Sequence, residues 1–87
     1  MPIYLDANVF IYAALQDPQA IPKARVAISY IQQLGKGKIE AATSTLSWDE
    51  VMWVALRLLD ERSDAIALGK WFLRLPNLIL LPVTNEV

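Results

Sequence analysis

The sequence predicts an α/β domain built on a parallel sheet. Three observations predict the class. Short apolar runs open and close the chain, Ile3–Leu5 and Leu78–Val83, and the second is apolar without alternation, as a parallel strand covered on both faces requires. Segments with apolar residues at helical spacing lie between the runs, in pairs. Turn formers separate them: Asp17-Pro18, Gly35 and Gly37, and Pro76-Asn77. The resulting order is βααβααβ.

Each element has its own signal. Ile3–Leu5, after Pro2, is the first strand. Ala7-Asn8 lead into a helix over Val9–Leu15, which Asp17-Pro18 punctuates. Pro22 suits a first helical turn, and a second helix follows over Lys23–Leu34. Its stripe is Ala24, Ala27, Ile28, Ile31 and Leu34, and Gly35 and Gly37 end it. Ile39–Thr43 is a short second strand.

Ser47-Trp48-Asp49-Glu50 fits a capping box, with Ser47 as the cap of a third helix. That helix continues over Val51–Leu59 and is apolar nearly all round, which predicts burial on more than one side. Ser63 is the expected cap of the fourth helix, with Asp64 in its first turn. Its stripe is Ala65, Leu68, Phe72 and Leu75. Arg74 falls in the last turn, and Pro76-Asn77 stops the helix. The chain stops just after the third strand, where an α/β domain would continue into a covering helix.

Composition narrows the chemistry. The chain has 87 residues, one small domain at most. It is 55% apolar, above the soluble average. That excess means either a dense core or faces meant for a partner, a second copy or a further segment. The formal net charge is −1, so no global basic field draws nucleic acid. Without Cys there is no disulfide framework and no thiolate metal site. Without His there is no Ser-His-Asp triad and no ordinary zinc site. A bound metal would rest on oxygen ligands, which suits Mg²⁺ or Mn²⁺. No apolar stretch is long enough for a bilayer and no signal-peptide layout opens the chain, so a cytoplasmic location is expected.

Two carboxylates stand out. Asp6 follows the first strand, where open α/β sheets bind their ligands. Glu50 lies early in the third helix. Each also has a structural explanation, Asp6 or Asn8 as a helix cap and Glu50 as the acidic half of the capping box. Asp49 points about 100° away from Glu50 around a helix, so one of the pair at most faces a common site. Tyr4, Tyr12, Trp48 and Trp53 suit base stacking, but their spacing fits core or core-edge positions better. Lys36 and Lys38 suit either phosphate contact or a solvated turn. Thr43, Ser44 and Thr45 suit either hydrogen bonding at a strand end or turn chemistry.

Two segments carry a family resemblance. Tyr4-Leu5-Asp6-Ala7-Asn8-Val9-Phe10-Ile11-Tyr12-Ala13 resembles the opening strand, acidic residue and small polar position of the PIN domain family. Thr43-Ser44-Thr45-Leu46-Ser47-Trp48-Asp49-Glu50-Val51 resembles its second acidic segment. Many members are the toxins of VapBC toxin–antitoxin pairs. The resemblance implies metal-dependent hydrolysis of RNA phosphodiesters, with Mg²⁺ or Mn²⁺ held by Asp6 and Glu50 and with Asn8 orienting the Asp6 loop. It implies an RNA substrate and an antitoxin protein as partners.

It also implies a PIN-like (Rossmann-like) three-layer fold and a longer domain with further acidic residues, of which residues 1–87 would be the N-terminal part. Glu86 is the only acidic residue after Asp64 and is not assigned to that role. In the family's sheet the first strand is central, so here its far side would be open. Two functions are therefore expected: an endoribonuclease impaired by the shortened acidic set, or a non-catalytic module that works by association, as a homo-oligomer. An unrelated small α/β domain with capping acids is the third reading.

Overall fold

The computed structural model describes residues 2–82. The elements are β1 (Ile3–Tyr4), α1 (Ala7–Leu15), α2 (Pro22–Gly35), β2 (Ala41–Ser44), α3 (Thr45–Leu58), α4 (Arg62–Leu73) and β3 (Leu78–Leu81). The expected α/β order stands. Val83, expected in the third strand, and Glu86 lie outside the described residues.

The three strands are parallel in the order β1-β2-β3. Ile3 pairs with Ala41 and Tyr4 with Ala42, and Leu78 to Leu81 pair with Ala41 to Ser44. Parallel crossovers are right-handed almost without exception. Two of them advancing in the same direction put both helix pairs on one face of the sheet. Packing agrees. Leu5, Phe10, Leu34, Ala41, Val51 and Phe72 belong to one buried cluster, and Leu78 and Leu80 pack against it.

Side chains alternate across a strand. The other face therefore carries Tyr4, Ala42, Ser44, Ile79 and Leu81. Ala42 is buried there, but Tyr4 is 58% exposed, Ile79 50% and Leu81 45%. The described residues thus supply two of the three expected layers, one sheet and one layer of helices. Among them β1 is an edge strand.

The helices join through specific contacts. The rings of Phe10 and Phe72 lie 4.4 Å apart at 60°, a tilted pair that ties α1 to α4. Trp48 Nε1 donates to the Gly69 carbonyl at 3.3 Å, joining α3 to α4. Gly69 permits that approach, since a Cβ there would stand 2.5 Å from the Met52 sulfur.

α2 ends in a Schellman motif: Gly37 N–H donates to the Leu34 carbonyl and Lys38 N–H to that of Gln33. Gly37 has φ +73°, a conformation that glycine adopts without penalty. Lys36 and Lys38 are therefore turn residues. Asn77, itself at φ 62°, donates through Nδ2 to the Leu34 carbonyl at 2.8 Å. Its own carbonyl accepts from Ala41 N–H at 3.0 Å.

Several expectations need correction. The cap of α3 is Ser44, not Ser47: Ser44 is extended (φ −92°, ψ 160°) and its hydroxyl accepts from Ser47 N–H at 3.3 Å. As the last residue of β2 it already has the backbone a cap requires, so strand and helix join without a loop. Ser47 lies inside the helix and is buried. α4 begins at Arg62 with Glu61 at the cap position and no side-chain cap bond, so Ser63 is an interior residue.

α3 is not buried on several sides. Val51 and Ala55 face the core, while Trp53, Leu56 and Leu58 are exposed and Arg57 stacks over the Trp53 ring at 4.5 Å. Tyr4 and Trp53 are surface residues, not core ones.

Candidate active site

The carboxyl edge of the sheet is where two helices begin. Asp6 follows β1 and caps α1, its Oδ1 accepting from Asn8 N–H at 2.7 Å. Ser44 ends β2 and caps α3. Leu5 N–H donates to the Ala42 carbonyl at 2.9 Å, which extends the register and sets Asp6 beside Ser44. The two helix N-termini therefore stand side by side, and neither first turn carries an acidic residue. Their unpaired N–H groups give the edge a positive field.

Capping does not exhaust Asp6. A carboxylate offers about four lone-pair positions, and the cap uses one. The residue is exposed, so the others open to solvent. Cap and ligand are thus compatible roles, and the cap bond fixes the carboxylate's direction. The contact of Asn8 with Asp6 is made by its backbone N–H.

Glu50 is exposed in the second turn of α3. Moving the cap to Ser44 removes the capping-box explanation for it. It lies about 9 Å along the helix axis from Ser44, at 1.5 Å per residue. A helical glutamate leans back toward the N-terminus, here toward the level of Asp6. Asp49 turns to the other side, into a cleft with Thr45, Trp48, Leu73 and Leu80. Among the described residues no group of three or more potential metal ligands converges. Asp6 and Glu50 are each exposed oxygen donors, the ligand type that suits a hard cation.

The edge also holds a hydroxyl group of residues that sequence patterns did not single out as one site. Tyr4 precedes Asp6 by two residues and pairs across the strands with Ala42, which makes Ser44 its diagonal neighbour. The Ser44 hydroxyl, and after it that of Ser47, holds the phenol below its ordinary value of 10.0. Desolvation opposes this, while Thr43 and the Ser44 backbone add smaller pulls downward. Thr43 Oγ1 is buried with no partner, so its pull is one of proximity and not of a formed bond. Only the strand register brings these residues together, and register is not written in residue spacing.

No helix among the described residues is long and apolar enough to cross a membrane. The family model described as the PIN domain matches residues 3–87. No curated protein and no solved structure matches the chain.

Proposed function

The chain belongs to the PIN domain family, and from that premise we propose that its site is of the metal-dependent endoribonuclease type found in VapC toxins. Nuclease activity and dependence on a divalent metal are general in the family. The observation that carries the reading is Asp6: an exposed carboxylate at the carboxyl end of a parallel strand, aimed by the Asn8 N–H.

Asp6 and Glu50 are the residues that would hold Mg²⁺ or Mn²⁺. When bound, such an ion supplies an activated water and screens the charge of the attacked phosphate. The chain itself contributes orientation and field. Asn8 N–H locks one Asp6 oxygen, and the N-termini of α1 and α3 favour an approaching phosphate. With no His present, proton transfers belong to water and carboxylates.

With two carboxylates the isolated 87 residues should bind the cation weakly and turn over RNA poorly. The test is cleavage of single-stranded RNA with Mg²⁺ or Mn²⁺ by purified protein beside Asp6→Asn. Paramagnetic broadening by Mn²⁺ at Asp6 and Glu50, lost in Asp6→Asn, is the expected sign of the site. Broadening unchanged in that variant would remove Asp6 from the metal.

A second reading has its own observation, the exposed sheet face with Tyr4, Ile79 and Leu81. A parallel sheet is normally covered on both faces. The chain would then work as a PIN module by association, with a second copy covering that face. For a homodimer the contact would extend over β1, α3 and β3 toward the standard total of about 1,600 Å². Light scattering decides: a 9.8 kDa monomer at micromolar concentration excludes the homodimer.

An antitoxin partner would find an apolar groove of about 340 Å³ between α1 and α2, walled by Tyr12, Pro22, Val26 and Tyr30. A cytoplasmic location accords with this reading.

A further inference from the structure

Where α4 ends and the chain turns toward β3, a groove of about 430 Å³ opens to solvent, lined by Ala67, Lys70, Trp71, Arg74, Leu75 and Pro76. None of these residues belongs to the Asp6 site. β3 starts level with β2, Leu78 beside Ala41. Pro76, two residues earlier, therefore sets one end of the groove toward the amino edge of the sheet, and Asp6 stands at the carboxyl edge.

Helical spacing puts Ala67, Lys70, Trp71 and Arg74 on one stripe. Gly69 meets α3 and Phe72 meets α1, so the stripe faces away from both. Lys70 and Arg74 are exposed and four residues apart, which brings their charged heads to one side. Trp71 is half-buried and packs against the core cluster, which holds its ring in place. Among the described residues no carboxylate lines the groove.

Basic side chains in a last helical turn often serve the helix itself, by meeting its bare carbonyls. Here the backbone does so. The Lys70 and Trp71 carbonyls accept from Arg74 N–H at 3.2 and 3.1 Å, and the Phe72 carbonyl accepts from Leu75 N–H at 3.3 Å. The Lys70 and Arg74 heads are thus left to another partner.

Charge and shape define that partner. Two cations call for an anion, and a fixed indole beside them calls for a flat apolar group. A nucleotide joins both in one unit, and basic grooves with stacking aromatics are how single strands are held without sequence preference. An acidic helix would need apolar anchors over two turns or more, and an added strand would need an open sheet edge. The end of α4 offers neither.

We propose that this groove is a holding point for single-stranded nucleic acid, separate from the Asp6 site: a base lies on the Trp71 indole, and adjoining phosphates pair with Lys70 and with the planar fork of Arg74. This goes beyond the nuclease reading, since the hold needs neither a metal nor Asp6.

The test is anisotropy of a fluorescein-labelled oligouridylate in EDTA, so that no metal is bound, over a series of salt concentrations. The unaltered chain is compared with Trp71→Phe and with the double variant Lys70→Gln, Arg74→Gln. The double variant should bind about tenfold more weakly at low salt, at least the effect of one hydrogen bond to a charged group. Its slope of log affinity against log salt should flatten by about 1.4, two phosphate contacts at about 0.7 each. Tryptophan emission should fall on binding in the unaltered chain. Trp71→Phe keeps an aromatic face but should lack that fall, although Trp48 and Trp53 remain.

Unchanged affinity and slope in the double variant overturn the proposal. A fall in emission that persists in Trp71→Phe places the base elsewhere and overturns it too. Displacement of the label by polyglutamate as effective as by unlabelled oligouridylate would make the groove a site for acidic peptides, which also overturns it. No binding by the unaltered chain in EDTA overturns it and leaves the nuclease reading to its own cleavage test with Mg²⁺ or Mn²⁺.

Discussion

The two faces of the sheet differ more than any two elements of the chain. On one face Leu5, Ala41, Leu78 and Leu80 meet the helices, with Phe10, Val51 and Phe72 above them. On the other, Tyr4, Ile79 and Leu81 meet solvent. The residue types are alike on both. What separates them is topology: two right-handed crossovers advancing in one direction deliver all four helices to one side. Apolar character alone therefore does not say which residues stabilise the fold.

The largest test of that contrast is in the packed layer. Phe10→Ala or Phe72→Ala should cost about 3–5 kcal/mol by urea denaturation, since each ring is fully buried and they touch one another. Such a loss takes much of the stability of a small domain, typically about 5–15 kcal/mol. A cost below about 1 kcal/mol would mean that the helix layer does not form the core.

Next in size are the helix starts beneath the site. Ser44→Ala should cost about 0.5–2 kcal/mol, because the hydroxyl accepts the Ser47 N–H. Ser47→Ala should cost less, as an interior helical position gains from alanine. The reverse order in thermal melts would restore Ser47 as the cap. Glu50→Gln should leave stability within about 0.5 kcal/mol, having lost its place in a capping box.

On the bare face, Ile79→Thr and Leu81→Thr should also stay within about 0.5 kcal/mol at dilution, as exposed positions do. A larger cost that grows with protein concentration would show that a second copy covers the face.

The smallest effect is the pH dependence due to Tyr4. Its phenol is held below 10.0 in the folded chain, so the folded state favours the ionised form. That contribution is present above the unfolded value and is lost as pH falls through the folded one. Stability should thus rise slightly more between neutral and alkaline pH in the unaltered chain than in Tyr4→Phe.

Much of this was legible in the residues. The order of elements followed from periodicity and punctuation, and Asp6 from its place after an apolar run. The cap of α3 was not, because Ser44-x-x-Ser47 and Ser47-x-x-Glu50 both offer a hydroxyl to a helix start. The decision lies in pairing: β2 continues to Ser44, opposite Leu81, and leaves it extended. The exposure of Tyr4 and Trp53 was equally hidden. Side-chain type gives the tendency to be buried, while strand order and helix placement decide whether anything arrives to bury it. Tyr4, Ser44 and Ser47 meet through register and helix start together, which no linear spacing encodes.

Asn77 bears on how this molecule would come apart. From one left-handed position it holds the end of α2 through Leu34 and the start of β2 through Ala41, across 43 residues of chain. The amino edge of the sheet is thereby stapled, while at the carboxyl edge the starts of α1 and α3 each rest on a single side-chain cap bond. Native-state hydrogen exchange should find the Ala41 amide among the slowest and those of Asn8 and Ser47 among the fast. The chain would open like a book hinged at Asn77, with its pages parting first at Asp6.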